Sequence, residues 1–138
     1  MWVKTRIEAE RARQFLKEHR NGHKKGRIVI GIGRQQGVII YLYQSGAVRF
    51  EIPPRSPGLQ TMVEAWLSNI GRRVAVGEVF QGIVTSVKTF GAFVMIMPDQ
   101  EALLHISRYR GGLVPLANDL VSVMVEEIDL NGHVNLTM

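Results

Sequence analysis

The sequence predicts two modules in 138 residues: an α+β unit of order α-β-β-β-α over 1–73, then an all-β unit of five strands closed into a small barrel over 74–138. Three observations predict this. Apolar residues at helical spacing and strong helix formers are confined to two stretches of the first half. β-branched and aromatic runs bounded by Gly fill most of the remainder. The charge also changes sign: residues 1–73 hold 14 Lys+Arg and 5 Asp+Glu, a net of +9, whereas residues 74–138 hold 3 and 7, a net of −4.

Residues 3–20 lack Gly and Pro and are rich in Ala, Arg, Glu, Lys, Gln and Leu, so they read as a helix stopped by Asn21 and Gly22. Lys4/Glu8 and Glu10/Arg13 stand at helical pair spacings. The apolar stripe is thin, with Trp2, Ala9 and Leu16 on one face, which predicts a mostly exposed helix or one packed on something outside the chain. His23 to Arg27 is a basic connector. Arg27–Ile32, Gly37–Tyr43 and Ala47–Ile52 read as strands, the last two joined at the Ser45-Gly46 turn as a hairpin. In the third strand Val48, Phe50 and Ile52 point inward, and Arg49 and Glu51 outward. Pro53 and Pro54 break the sheet. Ser56 is the expected N-cap, with Pro57 at the first helical position. Leu59, Met62, Val63, Trp66, Leu67 and Ile70 then fall on one helical face, and Gly71 ends it.

From Val74 the period is that of strands: Val79–Val87, Ala92–Met97, Ala102–Ile106, Leu120–Leu130 and Val134–Thr137, with one longer connection at 107–119. Five strands in about 65 residues fit a closed barrel of the OB type. Phe80, Phe90 and Phe93 are candidates for a stacking surface, because a barrel this small is filled by branched side chains and needs few rings. The competing reading makes Phe93 plain core and Phe80 and Phe90 scaffold. His105 can stack or bond a phosphate, and Lys88, Arg108 and Arg110 can pair with backbone charges.

The stretches VGEVFQGIVTSVKTFGAFVMI, EALLHIS and VMVEEIDLNGHVNLT closely resemble the S1 RNA-binding domain. TFGAFV at 89–94 followed by HIS at 105–107 is the most specific part. The resemblance implies an OB-fold barrel over 74–138 in which Phe80, Phe90, Phe93 and His105 look onto RNA. Three departures stand out: Ala102 replaces the family's usual Gly, His133 replaces a basic Arg, and the connection from Arg108 to Ala117 is shorter. With a net of −4, the barrel alone is expected to bind RNA weakly.

The first module resembles two families only faintly. Val29-Ile30-Gly31-Ile32-Gly33 is similar to the entry of a KH domain, but Arg34 replaces the last loop Gly and Gly37–Tyr43 reads as strand where that family has helix. The α-β-β-β-α order is similar to double-stranded RNA-binding domains, without their basic cluster at the second helix. Arg6, Arg11, Arg13, Lys17, Arg20, Lys24, Lys25, Arg27 and Arg34 are the candidate phosphate contacts of this module.

Several function classes are excluded or disfavoured. Without cysteine there is no disulfide scaffold, thiolate zinc site or cysteine nucleophile. No His spacing suggests a metal site and no side-chain set suggests catalysis, so no catalytic residue, metal or cofactor is expected. The apolar runs are far shorter than the ~20 residues a membrane span needs, and the first twenty residues lack a secretory apolar core. The expectation is a non-catalytic RNA-binding protein of translation or RNA processing in the cytoplasm or an organellar matrix. Its expected partners are single-stranded or ribosomal RNA, and a ribosome or an RNA-degrading complex. The alternatives are a KH–S1-like accessory region of an exoribonuclease of the polynucleotide phosphorylase type, and a barrel turned into a protein-interaction or decoy module.

Overall fold

A computed structural model describes residues 2–18, 23–24, 27–32, 38–53, 57–98 and 100–138, with side chains for all of these but 23–24, 27–32, 38 and 57. The chain forms two compact units, Met1–Arg72 and Arg73–Met138.

The first unit starts differently from expectation. Trp2–Arg6 is a strand, β1, and the helix α1 is confined to Ala9–Glu18. β-branched residues stand at every second position of this segment, at Val3, Thr5 and Ile7, and its burial alternates with the same period. Helix formers such as Lys4 and Arg6 did not outweigh that pattern once a partner strand was present. β1 pairs antiparallel with β5 (Ala47–Glu51), from Trp2 opposite Glu51 to Arg6 opposite Ala47. Helix α1 begins where the Glu8 carbonyl accepts the Ala12 amide at 3.0 Å. Its buried stripe is Ala12, Phe15 and Leu16, and it lies against β4 (Val38–Tyr43). The expected stripe through Trp2, Ala9 and Leu16 is therefore wrong, and the helix packs within the chain.

β2 (His23–Lys24), β3 (Arg27–Ile32), β4 and β5 continue as an antiparallel meander, giving a sheet of order β1-β5-β4-β3-β2. The three central strands are those expected, and β1 and the two-residue β2 extend the sheet at its edges. That β4 follows β3 as a paired strand sets the module apart from the helix expected after a KH loop. Gly46 closes the β4–β5 turn with φ +89°, and its carbonyl accepts the Ile7 amide at 2.8 Å. A side chain there would collide with the Ile7 carbonyl oxygen, so the close approach requires glycine. Helix α2 (Pro57–Ser68) carries the expected stripe through Leu59, Met62, Val63, Trp66 and Leu67, all buried, and Ile70, in the turn that follows the helix, is buried as well. With Ile40, Leu42, Val48, Phe50 and Ile52 of the sheet they form the core, each side chain contributing about 1.5–3 kcal/mol of burial before entropy. The Ser56 cap lies outside the described residues.

The second unit is a closed barrel of strand order β10-β8-β7-β6-β9. Its strands are β6 (Val79–Lys88), β7 (Gly91–Met97), β8 (Gln100–His105), β9 (Leu120–Ile128) and β10 (Val134–Thr137). Closure comes from β10, which pairs antiparallel with β9 and parallel with β8. This is the five-stranded OB-type barrel expected, and its interior is filled mainly by Val, Ile, Leu and Ala side chains.

Candidate nucleic-acid interface

The surface built by β6, β7 and β8 collects four of the expected residues. Cross-strand register sets Lys88, Gly91 and His105 in one row, with Ser86, Phe93 and Leu103 in the next. Phe90 stands at the β6–β7 turn, 47% exposed, and meets Phe93 edge to face with centroids 6.1 Å apart at 86°. Gly91 lets β8 approach: a side chain there would collide with the Leu104 carbonyl oxygen and come within 2.9 Å of His105 Cα. His105 is exposed, and its Nδ1 accepts the Ser107 amide at 3.1 Å with Ser107 Oγ at 2.8 Å. That acceptance leaves the proton of the neutral ring on Nε2, as a donor. The ring also caps the short 3-10 turn Ile106–Arg108.

Two expected residues are placed otherwise. Phe80 is 7% exposed and belongs to the barrel core, as the scaffold reading had it. The cause is a bulge in β6. Val84 pairs with Val94 but Ser86 pairs with Phe93, so β6 spends two residues where β7 spends one. Even-numbered residues point inward before the bulge, at Phe80, Gly82 and Val84, and outward after it, at Ser86 and Lys88. Arg108 is exposed but committed to Glu126, with Nε 2.9 Å from the carboxylate, which offsets much of the charge it would present to a phosphate. Arg110 is exposed.

A family model described as "S1 RNA binding domain" matches residues 73–138. The barrel belongs to the S1 RNA-binding domain family. Among curated proteins, the chain is similar to a polyribonucleotide nucleotidyltransferase of Thermosynechococcus vestitus, 32% identical over 118 residues, covering 81% of this chain and 16% of that protein. It is also similar to one of Ruminiclostridium cellulolyticum, 31% identical over 141 residues, covering 98% of this chain and 19% of that protein. The chain thus spans under a fifth of the length of these relatives. Among solved structures, GSP13 from Bacillus subtilis is 32% identical, covers 47% of this chain and 55% of that one, and has a TM-score of 0.43. An a/eIF2alpha-aDim2p-rRNA complex from Pyrococcus horikoshii gives 25% identity, 48% and 45% coverage and a TM-score of 0.44.

Beside the aromatic pair the S1 barrel holds a groove of ≈ 590 Å³, lined among others by Phe93, Glu101, Leu103, Asp129, His133 and Asn135. Sequence reasoning did not place the β10 residues there, because the parallel β8–β10 pairing joins segments about thirty residues apart in sequence. The floor of the β9–β10 turn is organised by Asp129. Its Oδ1 accepts the Asn131 and His133 amides, both at 2.9 Å, and its Oδ2 lies 3.2 Å from His133 Nδ1. The His133 amide, foremost, holds the Asp129 carboxyl below the usual carboxylate range, with the Asn131 amide and the His133 ring acting in the same sense against some desolvation. Asp129 is thus a turn organiser.

In the N-terminal unit the expected cations separate into three groups. Arg13 and Lys17 are exposed on α1. Arg6 and Arg11 are also exposed, but each donates to a backbone carbonyl, Arg6 to Ser45 and Arg11 to Ser68, both at 3.0 Å. These two line one groove with Glu8 and Glu64. Lys24 and Arg27 lie on β2 and β3, whereas Arg20, Lys25 and Arg34 fall outside the described residues. Among the described residues, no cluster of His, Asp or Glu is arranged to hold a metal, and no helix is long and apolar enough to cross a membrane.

Proposed function

We propose that the protein is a non-catalytic RNA-binding protein of the translation or RNA-processing machinery, working as a ribosome-bound or RNA-bound component. The observation that carries this reading is the exposed Phe90–Phe93 pair beside Lys88 and His105 on an S1 barrel. An exposed ring with a second ring braced against its edge offers a flat, pre-ordered face to a base. Such stacking is worth roughly 1–3 kcal/mol per base and tolerates any sequence. Lys88 and the Nε2–H of His105 stand where phosphate or ribose oxygens would pass. The barrel's net of −4 opposes a polyanion, so the long-range attraction falls to the N-terminal module with its net of +9. Arg13 and Lys17, free of the backbone bonds that occupy Arg6 and Arg11, are the first candidates there, together with Lys24, Lys25 and Arg27.

A salt titration of single-stranded RNA binding tests the reading. The log of affinity is expected to fall with log salt at roughly −0.7 per phosphate neutralised. Phe90→Ala is expected to weaken binding by about 1–3 kcal/mol at an unchanged slope, whereas a Lys24/Lys25 double alanine variant lowers the slope. Binding that ignores salt and survives both changes would falsify it.

A second reading is favoured by one observation: the curated relatives named above are polyribonucleotide nucleotidyltransferases, matched over 16–19% of their length. In that reading the chain is an RNA-holding accessory of a phosphorolytic exoribonuclease. It predicts stable association with a separate catalytic chain, and a protein that purifies alone from its source at low salt would count against it.

A further inference from the structure

The N-terminal sheet has a second aromatic and cationic surface, on the face opposite its packed core. Ile40, Leu42, Val48 and Phe50 point into that core. On the other face, register sets Lys4, Arg49 and Tyr41 in one row across β1, β5 and β4, with Trp2, Glu51 and Ile39 in the adjacent row. Trp2 and Tyr41 lie with ring centroids 5.7 Å apart at 35°. The Arg49 guanidinium sits 4.7 Å from the Trp2 centroid and 5.1 Å from that of Tyr41. Its Nε is buried without a hydrogen-bond partner among the described residues. Trp2 nevertheless remains 46% exposed.

Such an arrangement is costly unless it meets a ligand. A tryptophan nearly half open to water on an edge strand contributes little to the core, and a buried guanidinium N–H without an acceptor has lost its water without gaining a hydrogen bond. The same groups supply what a single-stranded nucleic acid needs: flat π-faces for bases and fixed donors for phosphates. The charge also selects the occupant. Lys4 and Arg49 share a row against the single carboxylate of Glu51, within a module of net +9, so a polyanion fits this face better than an apolar or cationic partner.

We propose that this sheet face is a stacking platform for single-stranded RNA, on which Trp2 and Tyr41 take bases while Arg49 clamps the rings and Arg49 and Lys4 meet the phosphates. The proposal rests on the reading of the protein as RNA-binding, but it concerns the half of the chain that the S1 match does not cover.

Fluorescence of the full chain tests it directly. Trp2 and Trp66 are its two tryptophans, and Trp66 is 2% exposed, so quenching by a stacked base reports on Trp2. Short oligouridine, labelled for anisotropy, is the probe. The expected result is saturable quenching that tracks the anisotropy, no quenching in Trp2→Ala with affinity down roughly 5- to 150-fold, and near-normal affinity in Trp2→Phe. Phe90→Ala is expected to weaken binding yet keep the quenching at saturation. Should Trp2→Ala fail to fold, the wild-type quenching and the Trp2→Phe affinity decide. Oligouridine bound without quenching, or equal quenching by heparin, which has no bases, overturns the platform and leaves the S1 reading intact. Absence of oligouridine binding by the wild-type chain overturns both.

Discussion

The two modules carry opposite resources. The S1 barrel has the recognised fold and an exposed aromatic pair, but a net of −4 and one of its three basic residues, Arg108, tied to Glu126. The N-terminal module lies outside the S1 match and has a net of +9, yet two of its arginines, Arg6 and Arg11, bond backbone carbonyls. Counting charges or rings therefore overstates what either surface offers. A ring serves a ligand only if packing leaves a face open, and a cation only if the fold has not already assigned its donors. Phe80 and Phe90 make the point within one barrel, since the same residue type is buried at one position and open at the other.

The largest expected effect separates those two rings. Phe80→Ala should cost about 3–5 kcal/mol of stability, as a large-to-small change in a closed core. Phe90→Ala should leave the melting temperature almost unchanged, its effect falling on RNA affinity. Equal thermal shifts in the two variants would erase the distinction between core ring and stacking ring. A smaller effect sharpens the contrast between free and committed cations. Alanine at both Arg13 and Lys17 should reduce the salt slope of RNA binding by about 1.4, if each neutralises one phosphate, with stability unchanged to within about 0.5 kcal/mol. Arg11→Ala should lower the melting temperature through loss of the Ser68 carbonyl bond. A slope that does not move with Arg13 and Lys17 would remove α1 from the interface. The smallest effect concerns the β9–β10 turn. The lowered value of Asp129 means that its stabilisation is fully present above its ordinary value of 3.8 and is lost as pH falls through the lowered value. Asp129→Asn should lower stability slightly at neutral pH and converge with the wild type in acid, flattening this part of the pH profile, which a melting series from neutral pH into acid would check.

Much of this was legible along the chain. Helix α2 and its buried stripe, strands β3 to β5, the sign change in charge and the TFGAFV and HIS segments are local patterns of period or composition. Phe90, Phe93, Lys88 and His105 share a surface because the short β6–β7 turn and the antiparallel register of β6, β7 and β8 set them side by side. Phe80 does not join them, because a bulge reverses the alternation of sides along β6 and leaves no mark in the residues themselves. β1 was misread for a related reason. Trp2 to Arg6 contains both helix formers and alternating β-branched residues, and only the free edge of β5 decides between them. The Trp2–Arg49–Tyr41 stack followed from that edge pairing and stayed invisible until it was made.

What the sequence by itself determined is therefore everything governed by neighbours along the chain: the periods of the elements, the turn at Gly46, the charge of each module and the S1 motifs. What only the tertiary structure decided is which strand pairs with which, and in what phase. Closure through β10 set His133 and Asn135 beside Phe93, and pairing of β1 with β5 set Trp2 over Arg49. The physical reason is that hydrogen-bonded register joins residues far apart in sequence, and a one-residue slip moves a side chain from core to solvent.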